Sequence, residues 1–255
     1  MTIFGVQFDI AWENKSANFA TVRRLLSQAA PQKDSLVVLP EMFATGFSMN
    51  VDAVAESYGG ETEQFLAATA REFGIYLIAG APMRGRDGRA RNKALVFSPA
   101  GELLAFYAKM QPFTPGGERD HYVAGEHPVI FRWNECSVSP FVCYDLRFPE
   151  LFRQAAAAQQ PELFVVIASW PDKRIRHWVA LLQARAIENQ AYVIGVNRIG
   201  KDPYYTYCGR SLIIDPQGTI LADAGATEGY IFGSLDLANL QKYREGLPFL
   251  ADMKK

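Results

Sequence analysis

Cysteine and histidine are scarce in this sequence, with three of each among 255 residues. The cysteines, Cys136, Cys143 and Cys208, form no CxxC pair, and neither an HExxH motif nor any other paired histidine spacing is present. These absences argue against a structural zinc site and against a hydrolytic zinc centre, so we expect no metal. An odd, sparse set of cysteines fits a reducing cytosol, where a free thiol survives.

Net charge and long apolar runs are also lacking. The formal net charge is −1, from 26 basic and 27 acidic side chains, so nothing favours nucleic acid as a partner. No apolar run approaches the length that crosses a bilayer, which excludes a membrane-spanning class. The chain opens on a strand-like pattern without the basic and apolar segments of a signal peptide, so we expect a cytoplasmic location.

Strand-like and helix-like segments alternate along the chain, which predicts an α/β fold. No linker rich in proline, glycine or serine divides the pattern, so residues 1–255 are predicted to form one domain. The stretch 240–255 has a weak pattern and is interpreted as an arm that packs on a partner subunit. The predicted strands are 2–8, 35–39, 75–82, 90–98, 102–109, 131–142 with a break at 134–135, 163–168, 191–197, 207–214, 219–223 and 229–235. The predicted helices are 14–28, 61–73, 174–189 and one that starts near 149.

Three reactive side chains follow strand-like runs directly. Cys143 ends the run 138–142, Glu41 follows Leu-Val-Val-Leu-Pro, and Lys109 follows Leu-Leu-Ala-Phe-Tyr-Ala. A free thiol has a pKa of about 8.5, so it needs a base for activation at neutral pH. Glu41 can take the thiol proton and later hand it to a departing amine. Lys109 and the backbone N–H of Tyr144 can stabilise the oxyanion of acyl transfer.

The segments around these residues carry a family resemblance. The chain resembles the nitrilase, or carbon–nitrogen hydrolase, superfamily and looks most like its ω-amidase branch. The resemblance runs from Gly5 to about Asp236, nearly the whole chain. Its motifs are Leu-Pro-Glu-Met-Phe at 39–43, Tyr-Ala-Lys-Met at 107–110, Val-Cys-Tyr-Asp-Leu-Arg-Phe-Pro-Glu at 142–150, Gln-Ala-Arg-Ala-Ile-Glu-Asn-Gln at 183–190 and Asn-Arg at 197–198.

The resemblance implies a four-layer α-β-β-α sandwich and an amidase that needs no cofactor. It implies hydrolysis of the terminal amide of a small dicarboxylic monoamide, such as 2-oxoglutaramate or 2-oxosuccinamate, through a thioester on Cys143. It also implies a second glutamate that positions Lys109, and Glu118 matches that place. Pairing of two subunits near the helices 149–158 and 174–189 is implied as well, so we expect a homodimer or larger homo-oligomer.

The substrate pocket is predicted from the residues near these motifs. Phe43 and Tyr144 are expected to supply its walls, with Trp170, which follows the apolar strand 163–168. Arginine binds planar carboxylates through two parallel hydrogen bonds, so Arg174 or Arg176 is expected to hold the far carboxylate of the substrate. The motif residues Asp145 and Arg147 are expected to form a supporting ion pair.

Three alternatives stay open at this point. The chain could belong to another branch of the superfamily, such as a carbamoyl-amine amidohydrolase, a deaminated-glutathione amidase or a true nitrilase. It could be a binding protein that keeps the fold without catalysis, although retention of Glu41, Lys109 and Cys143 argues against this. It could also be a cysteine peptidase that uses His121 as its base.

Overall fold

Two six-stranded β-sheets form the centre of the protein. The computed structural model describes residues 1–253. Both sheets mix parallel and antiparallel pairs. Sheet I has the order β14 (Gly229–Ser234), β1 (Thr2–Gln7), β2 (Leu36–Val38), β3 (Tyr76–Arg84), β4 (Ala90–Phe97), β5 (Leu103–Ala108). Sheet II has the order β13 (Ile220–Asp223), β12 (Leu212–Ile214), β9 (Tyr192–Val196), β8 (Leu163–Ile167), β7 (Cys136–Val142), β6 (Phe131–Trp133).

The sheets pack face to face, and each is covered by helices on its other side. Strand β1 contacts β9 and strand β4 contacts β7 across the interface between the sheets. Helices α1 (Lys15–Ala29) and α3 (Glu61–Phe73) cover sheet I, while α5 (Pro149–Gln159) and α6 (Ile175–Asn189) cover sheet II. This arrangement is the predicted four-layer α-β-β-α sandwich of the nitrilase type.

Side chains that alternate between the two faces of each strand let one sheet contribute to two hydrophobic cores. In β4, Ala94 and Val96 join the core between the sheets, while Leu95 and Phe97 join the core beneath α1 and α3. Successive side chains of a strand point to opposite faces, so a sheet covered on both faces reads as a nearly continuous apolar run. All of β8 is buried for the same reason, as its unbroken apolar sequence predicts.

Several predicted boundaries change in the structure. The break at 134–135 is confirmed, and α5 begins at Pro149 as expected. The predicted strand 207–214 is wrong, because it is two strands, β11 (Thr206–Cys208) and β12. Gly209 and Arg210 separate them with φ angles of 71° and 58°, which an extended strand cannot contain. The sequence analysis missed β10 (Ile199–Lys201), which pairs with β11 in a two-stranded sheet.

Three further helices occur among the described residues, and the last of them lies in the predicted arm, whose contact with a partner subunit stays a prediction. Helices α2 (Val51–Val54) and α4 (Glu118–His121) are single turns, and α7 spans Leu237–Gly246. In α7, Leu240 is buried and the Arg244 guanidinium donates to the carbonyls of Gln160, Pro161 and Gln190. The described part of 240–255 therefore packs on its own chain, whereas residues 254–255 lie outside the described residues.

Candidate active site

The ends of strands from both sheets meet at one buried cluster. Lys109, directly after β5, places its Nζ 2.9 Å from Oε1 of Glu41 and 2.7 Å from Oε2 of Glu118. Glu41 follows β2, and Glu118 opens α4. All three side chains are at most 1% exposed. The structure therefore brings the two predicted carboxylates together on one ammonium group, and this cation offsets part of the cost of burying them.

Asn92 completes this cluster, and the sequence analysis missed it. Its Nδ2 donates to Oε1 of Glu41 at 2.7 Å and to Oε1 of Glu118 at 2.8 Å. Its carbonyl accepts the backbone N–H of Lys109 at 2.8 Å. The signal was present in β4, where Asn92 shares the face of Ala94 and Val96 between the sheets. A polar residue at such a position needs hydrogen-bond partners, which here are the two carboxylates.

A tight backbone approach holds Glu41 in place. Met42, the next residue, has a φ of 45°, so the chain turns sharply after the glutamate. The N–H and carbonyl of Gly80 in β3 bond to Pro40 and Phe43 on either side of this turn, at 3.1 Å each. A Cβ atom on Gly80 would lie 2.5 Å from Cα of Glu41. Glycine is therefore needed at position 80 for the turn to rest on the sheet.

Cys143 sits on a strained turn at the end of β7. Its φ is 47°, a conformation uncommon for residues other than glycine, and a single 3₁₀ turn, Cys143–Arg147, follows. Strain of this kind clusters at functional sites, where surrounding contacts hold it in place. The Sγ atom lies 3.9 Å from the carbonyl oxygen of Ser169. The N–H of the same serine donates to Oε2 of Glu41 at 2.8 Å, so one residue links the thiol to the glutamate.

Asp145 fixes this turn, but not through the predicted ion pair with Arg147. Its carboxylate accepts from the N–H of Val142 at 3.0 Å, the hydroxyl of Tyr107 at 2.8 Å and the N–H of Gln111 at 2.8 Å. Burial raises the pKa of Asp145 to about 7. The aspartate thus ties the cysteine turn to the end of β5, and the predicted ion pair is wrong because Arg147 points into the pocket instead.

The charges of the cluster determine the resting state of the thiol. Burial and the Glu41 carboxylate raise the pKa of Cys143 well above its usual value, although Lys109 acts in the opposite direction. Burial alone would lower the pKa of Lys109, but the Glu118 and Glu41 carboxylates raise it. At neutral pH the cluster therefore contains a neutral thiol beside a charged ammonium. A nucleophile in this state has to lose its proton during attack, to a base nearby.

The Cys143 pocket opens above this cluster. It is narrow, with a cavity volume of about 20 Å³. Tyr144, Trp170 and Arg174 line it, as the sequence analysis predicted. The other lining residues are Phe47, Phe113, Arg147, Ser169, Pro171 and Tyr205. Among residues 1–253, no group of three or more His, Cys, Asp or Glu side chains is arranged to hold a metal ion.

Two predicted pocket residues lie elsewhere. Phe43 is fully buried in the core beneath α1, with its ring 6.0 Å from that of Phe19. The turn at Met42 directs it away from the pocket, and Phe47 and Phe113 form the aromatic wall instead. Arg176 lines a separate surface groove. It follows Arg174 by two positions, which places the two side chains on opposite sides of the helix start.

The pocket carries two arginines without acidic partners. Among the described residues, no carboxylate oxygen lies within 4.0 Å of Arg147 or Arg174. The Arg147 guanidinium stacks over the Trp170 ring at 4.7 Å and contacts Nδ1 of His177 at 3.3 Å. Burial and the charge of Arg174 lower the pKa of Arg147. The pocket therefore presents uncompensated positive charge beside the thiol.

Comparison with known proteins agrees with this geometry. A family model described as carbon-nitrogen hydrolase matches residues 5–245. The chain belongs to the carbon–nitrogen hydrolase family. It is 33% identical to the 2-oxoglutaramate amidase of Bacillus subtilis, over 100% of this chain and 98% of that protein. It is 38% identical to the ω-amidase YafV of Yersinia enterocolitica, over 98% of this chain and 95% of that protein.

A solved structure extends the likeness to the whole carbon–nitrogen hydrolase fold. XC1258 from Xanthomonas campestris, a CN-hydrolase superfamily protein with an arsenic adduct in its active site, superposes with a TM-score of 0.94. The two sequences are 32% identical, over 100% of this chain and 97% of that one. Together with the ω-amidase relatives, this makes the protein an amidase enzyme of the nitrilase superfamily.

The peptidase alternative finds no support in the site geometry. His121 ends α4 with its side chain exposed, and it does not line the Cys143 pocket. The ionisable side chain connected to Cys143 is that of Glu41. Ser169 makes this connection, because its carbonyl oxygen contacts the thiol and its N–H donates to the glutamate. Among the described residues, no helix is both long enough and apolar enough to cross a membrane.

Proposed function

We propose that this enzyme is an ω-amidase that hydrolyses the terminal amide of a small dicarboxylic monoamide, such as 2-oxoglutaramate or 2-oxosuccinamate. The observation that carries the proposal is the pair of unpartnered arginines, Arg147 and Arg174, in the pocket that holds Cys143. Both guanidinium groups are half-buried and lack a counter-ion, and a substrate carboxylate would supply the missing charge. The relatives named 2-oxoglutaramate amidase and ω-amidase support the same substrate class.

In the first half of the proposed reaction, the thiol of Cys143 attacks the carbonyl carbon of the amide. Glu41 takes the thiol proton as the C–S bond forms. The negative charge that develops on the carbonyl oxygen is stabilised by the ammonium of Lys109 and the backbone N–H of Tyr144. Glu41 then returns the proton to the amide nitrogen, the C–N bond breaks, and ammonia leaves a thioester on Cys143.

In the second half, water replaces ammonia. Glu41 removes a proton from the water as its oxygen attacks the thioester carbonyl, and the same donors stabilise the oxyanion. The C–S bond breaks, the sulfur regains a proton from Glu41, and the carboxylic acid product leaves. Amide and water give acid and ammonia, so the reaction balances with no cofactor. Glu118 and Asn92 touch neither reacting bond in this scheme, and they position Lys109 and Glu41.

Replacing Arg174 with glutamine tests the substrate class. If Arg174 binds the far carboxylate, kcat/KM for 2-oxoglutaramate is expected to fall by the equivalent of about 1.5–3 kcal/mol, the range for hydrogen bonds to charged groups. A neutral amide of similar length should lose little, because it never used that contact. Arg147→Gln is expected to behave in the same way. Ammonia release measured over a range of concentrations of each amide gives kcat/KM for 2-oxoglutaramate and for the neutral amide.

Arg176→Gln is the matched control for this test, since Arg176 lies in a separate groove. It should leave kcat/KM for both substrates unchanged. Equal losses on the acidic and the neutral amide in the Arg174 and Arg147 variants would mean that these arginines are structural.

A panel of substrates that includes a carbamoyl amine, deaminated glutathione and a nitrile decides among the branches of the family. Faster turnover of any of these than of 2-oxoglutaramate would contradict the proposal.

We also propose that the protein forms a homodimer or larger homo-oligomer through α5 and α6. Helix α6 buries Trp178 and Leu182 against its own sheet, yet it leaves Val179 half-buried and Ile187 46% exposed on other faces. Apolar side chains on more than one face of a helix favour a second contact surface. Light scattering at micromolar concentration is expected to give at least twice the chain mass of 28.4 kDa. A monomer under those conditions would refute this interface.

A cytoplasmic location is the last part of the proposal. The proposed nucleophile works as a free thiol, and all three cysteines are unpaired in the structure. A reducing compartment keeps such thiols available. Cell fractionation is expected to recover the amidase activity in the cytoplasmic fraction, and recovery mainly from another compartment would contradict the assignment.

A further inference from the structure

A second cavity lies on the outer side of sheet I, away from the active site. We call it the Lys93 cavity, and it is lined by Tyr58, Arg86, Asp87, Arg91, Lys93 and Phe106, with Gly85 at the hairpin turn. It is a groove open to solvent, with a volume of about 750 Å³. It shares no lining residue with the Cys143 pocket.

Lys93 is the unusual member of this cavity. It is 1% exposed, and its Nζ donates to the hydroxyl of Tyr58 at 2.9 Å. The same atom lies 4.3 Å from the centre of the Phe106 ring and 4.8 Å from that of Tyr58. No carboxylate of residues 1–253 lies within 4.0 Å of it. An ammonium has three donors, so two are left without an oxygen or nitrogen acceptor from the described residues.

The other charged groups of the cavity leave an excess of positive charge. Asp87 is held by Arg91 through two hydrogen bonds of 2.8 Å, which lower the pKa of Asp87 and neutralise this pair. Arg86 is exposed at the rim. Glu126 is near enough to influence Arg91, but it does not line the cavity. Three cations and one carboxylate therefore line the space, an excess of two positive charges.

The aromatic walls are also available to a ligand. Tyr58 is 44% exposed and Phe106 is 42% exposed, although both rings already contact the Lys93 ammonium. Exposed aromatic rings beside a buried cation can hold the carbon skeleton of a ligand while the cation holds its charge. Lys93 follows Asn92 in β4, and successive residues of a strand face opposite sides. The cavity and the catalytic cluster are therefore separated by the thickness of sheet I.

We propose that the Lys93 cavity binds a small dianion whose charge is carried by oxygen atoms, of the phosphate or dicarboxylate class. The ligand charge pairs with Lys93 and Arg86, and its remaining atoms rest on Tyr58 and Phe106. This site is independent of the proposed amide substrate, because it requires no residue of the Cys143 pocket.

Isothermal titration of the full chain with inorganic phosphate, and separately with succinate, tests the proposal at constant ionic strength. One dianion is expected to bind per chain at the Lys93 cavity, and any additional succinate bound by the arginines of the Cys143 pocket should be lost in Arg174→Gln. Lys93→Met keeps the length and the aromatic contacts of the side chain but removes its charge, and it should weaken binding at least tenfold. Arg86→Gln, at an exposed position that does not endanger folding, should weaken binding by a smaller factor.

Two controls separate this site from other sources of binding. Lys242→Met removes an equally charged but exposed side chain of α7 and should leave the affinity unchanged. Arg174→Gln should also leave the affinity of the Lys93 cavity unchanged, since it alters the Cys143 pocket alone. Binding of phosphate but not succinate assigns the phosphate class, and the reverse assigns the dicarboxylate class. The proposal is overturned if neither anion binds the wild type, if Arg174→Gln abolishes binding, or if the Lys93 and Arg86 variants bind as tightly as the wild type.

Discussion

Replacing Cys143 with serine is expected to lower kcat/KM for 2-oxoglutaramate by at least about a thousandfold, equivalent to about 4 kcal/mol of transition-state stabilisation. A serine hydroxyl is a far weaker nucleophile than sulfur, and it offers Glu41 a less acidic proton. The substitution is small, so the strained turn at φ 47° and the Asp145 hydrogen bonds are expected to persist. Ammonia release at saturating and limiting substrate measures the loss.

Cys136→Ser and Cys208→Ser are the matched controls for this variant. Cys136 is buried in sheet II and Cys208 is half-buried in β11, and neither lines the Cys143 pocket. Each should keep nearly the wild-type kcat. A Cys143→Ser enzyme with more than about a tenth of the wild-type activity, a loss of under about 1.4 kcal/mol, would remove Cys143 from the role of nucleophile.

Replacing Lys109 with methionine is expected to lower kcat by about 10²–10³-fold with little change in KM, the usual cost of losing one oxyanion donor. It should also destabilise the fold by about 3–5 kcal/mol, because Glu41 and Glu118 would remain buried without their cation. Both carboxylates lie within 2.9 Å of the Lys109 ammonium, so they depend on the same charge. Steady-state kinetics and urea unfolding measure the two effects separately.

The double variant Lys109→Met/Glu118→Gln separates catalysis from stability. Removing the Glu118 charge lowers the free-energy cost of burying carboxylates without a cation. The double variant should therefore be more stable than Lys109→Met alone. Its kcat should stay as low as that of the single variant, because no oxyanion donor has been restored. If kcat recovers together with stability, Lys109 serves the fold and not the oxyanion.

The triad positions could be predicted because they depend on short-range patterns. Glu41, Lys109 and Cys143 each follow an apolar strand, and the ends of these strands meet in the structure, with Lys109 beside Glu41. The order of layers was also predictable from the alternation of strands and helices together with the family resemblance. The contact between Glu118 and Lys109 was reached only through that resemblance, since a loop glutamate has no local signature of burial.

Side-chain direction was less predictable than position. Phe43 was assigned to the pocket, but the left-handed turn at Met42 sends it into the outer core. Arg147 was assigned to an ion pair with Asp145, but backbone N–H groups and Tyr107 occupy that carboxylate. Both outcomes depend on long-range contacts formed when strands from two sheets converge. A linear sequence does not display these contacts.

Asn92 shows the opposite case, in which an available signal was not used. Its neighbours on the same face of β4 are Ala94 and Val96, both in the core between the sheets. One amide at such a position predicts buried hydrogen-bond partners, because an unsatisfied amide is costly there. The partners themselves, Glu41 and Glu118, are 51 and 26 residues away along the chain, so only the fold identifies them.

The most direct test of the central claim is mass spectrometry of the enzyme quenched with acid within its first turnover of 2-oxoglutaramate. The proposed mechanism predicts an added acyl group on the peptide that contains Cys143, with ammonia released before the acid product. The adduct should be absent from Cys143→Ser. An acyl group on Cys136 or Cys208 would contradict the account, as would early ammonia release with no acyl group on Cys143.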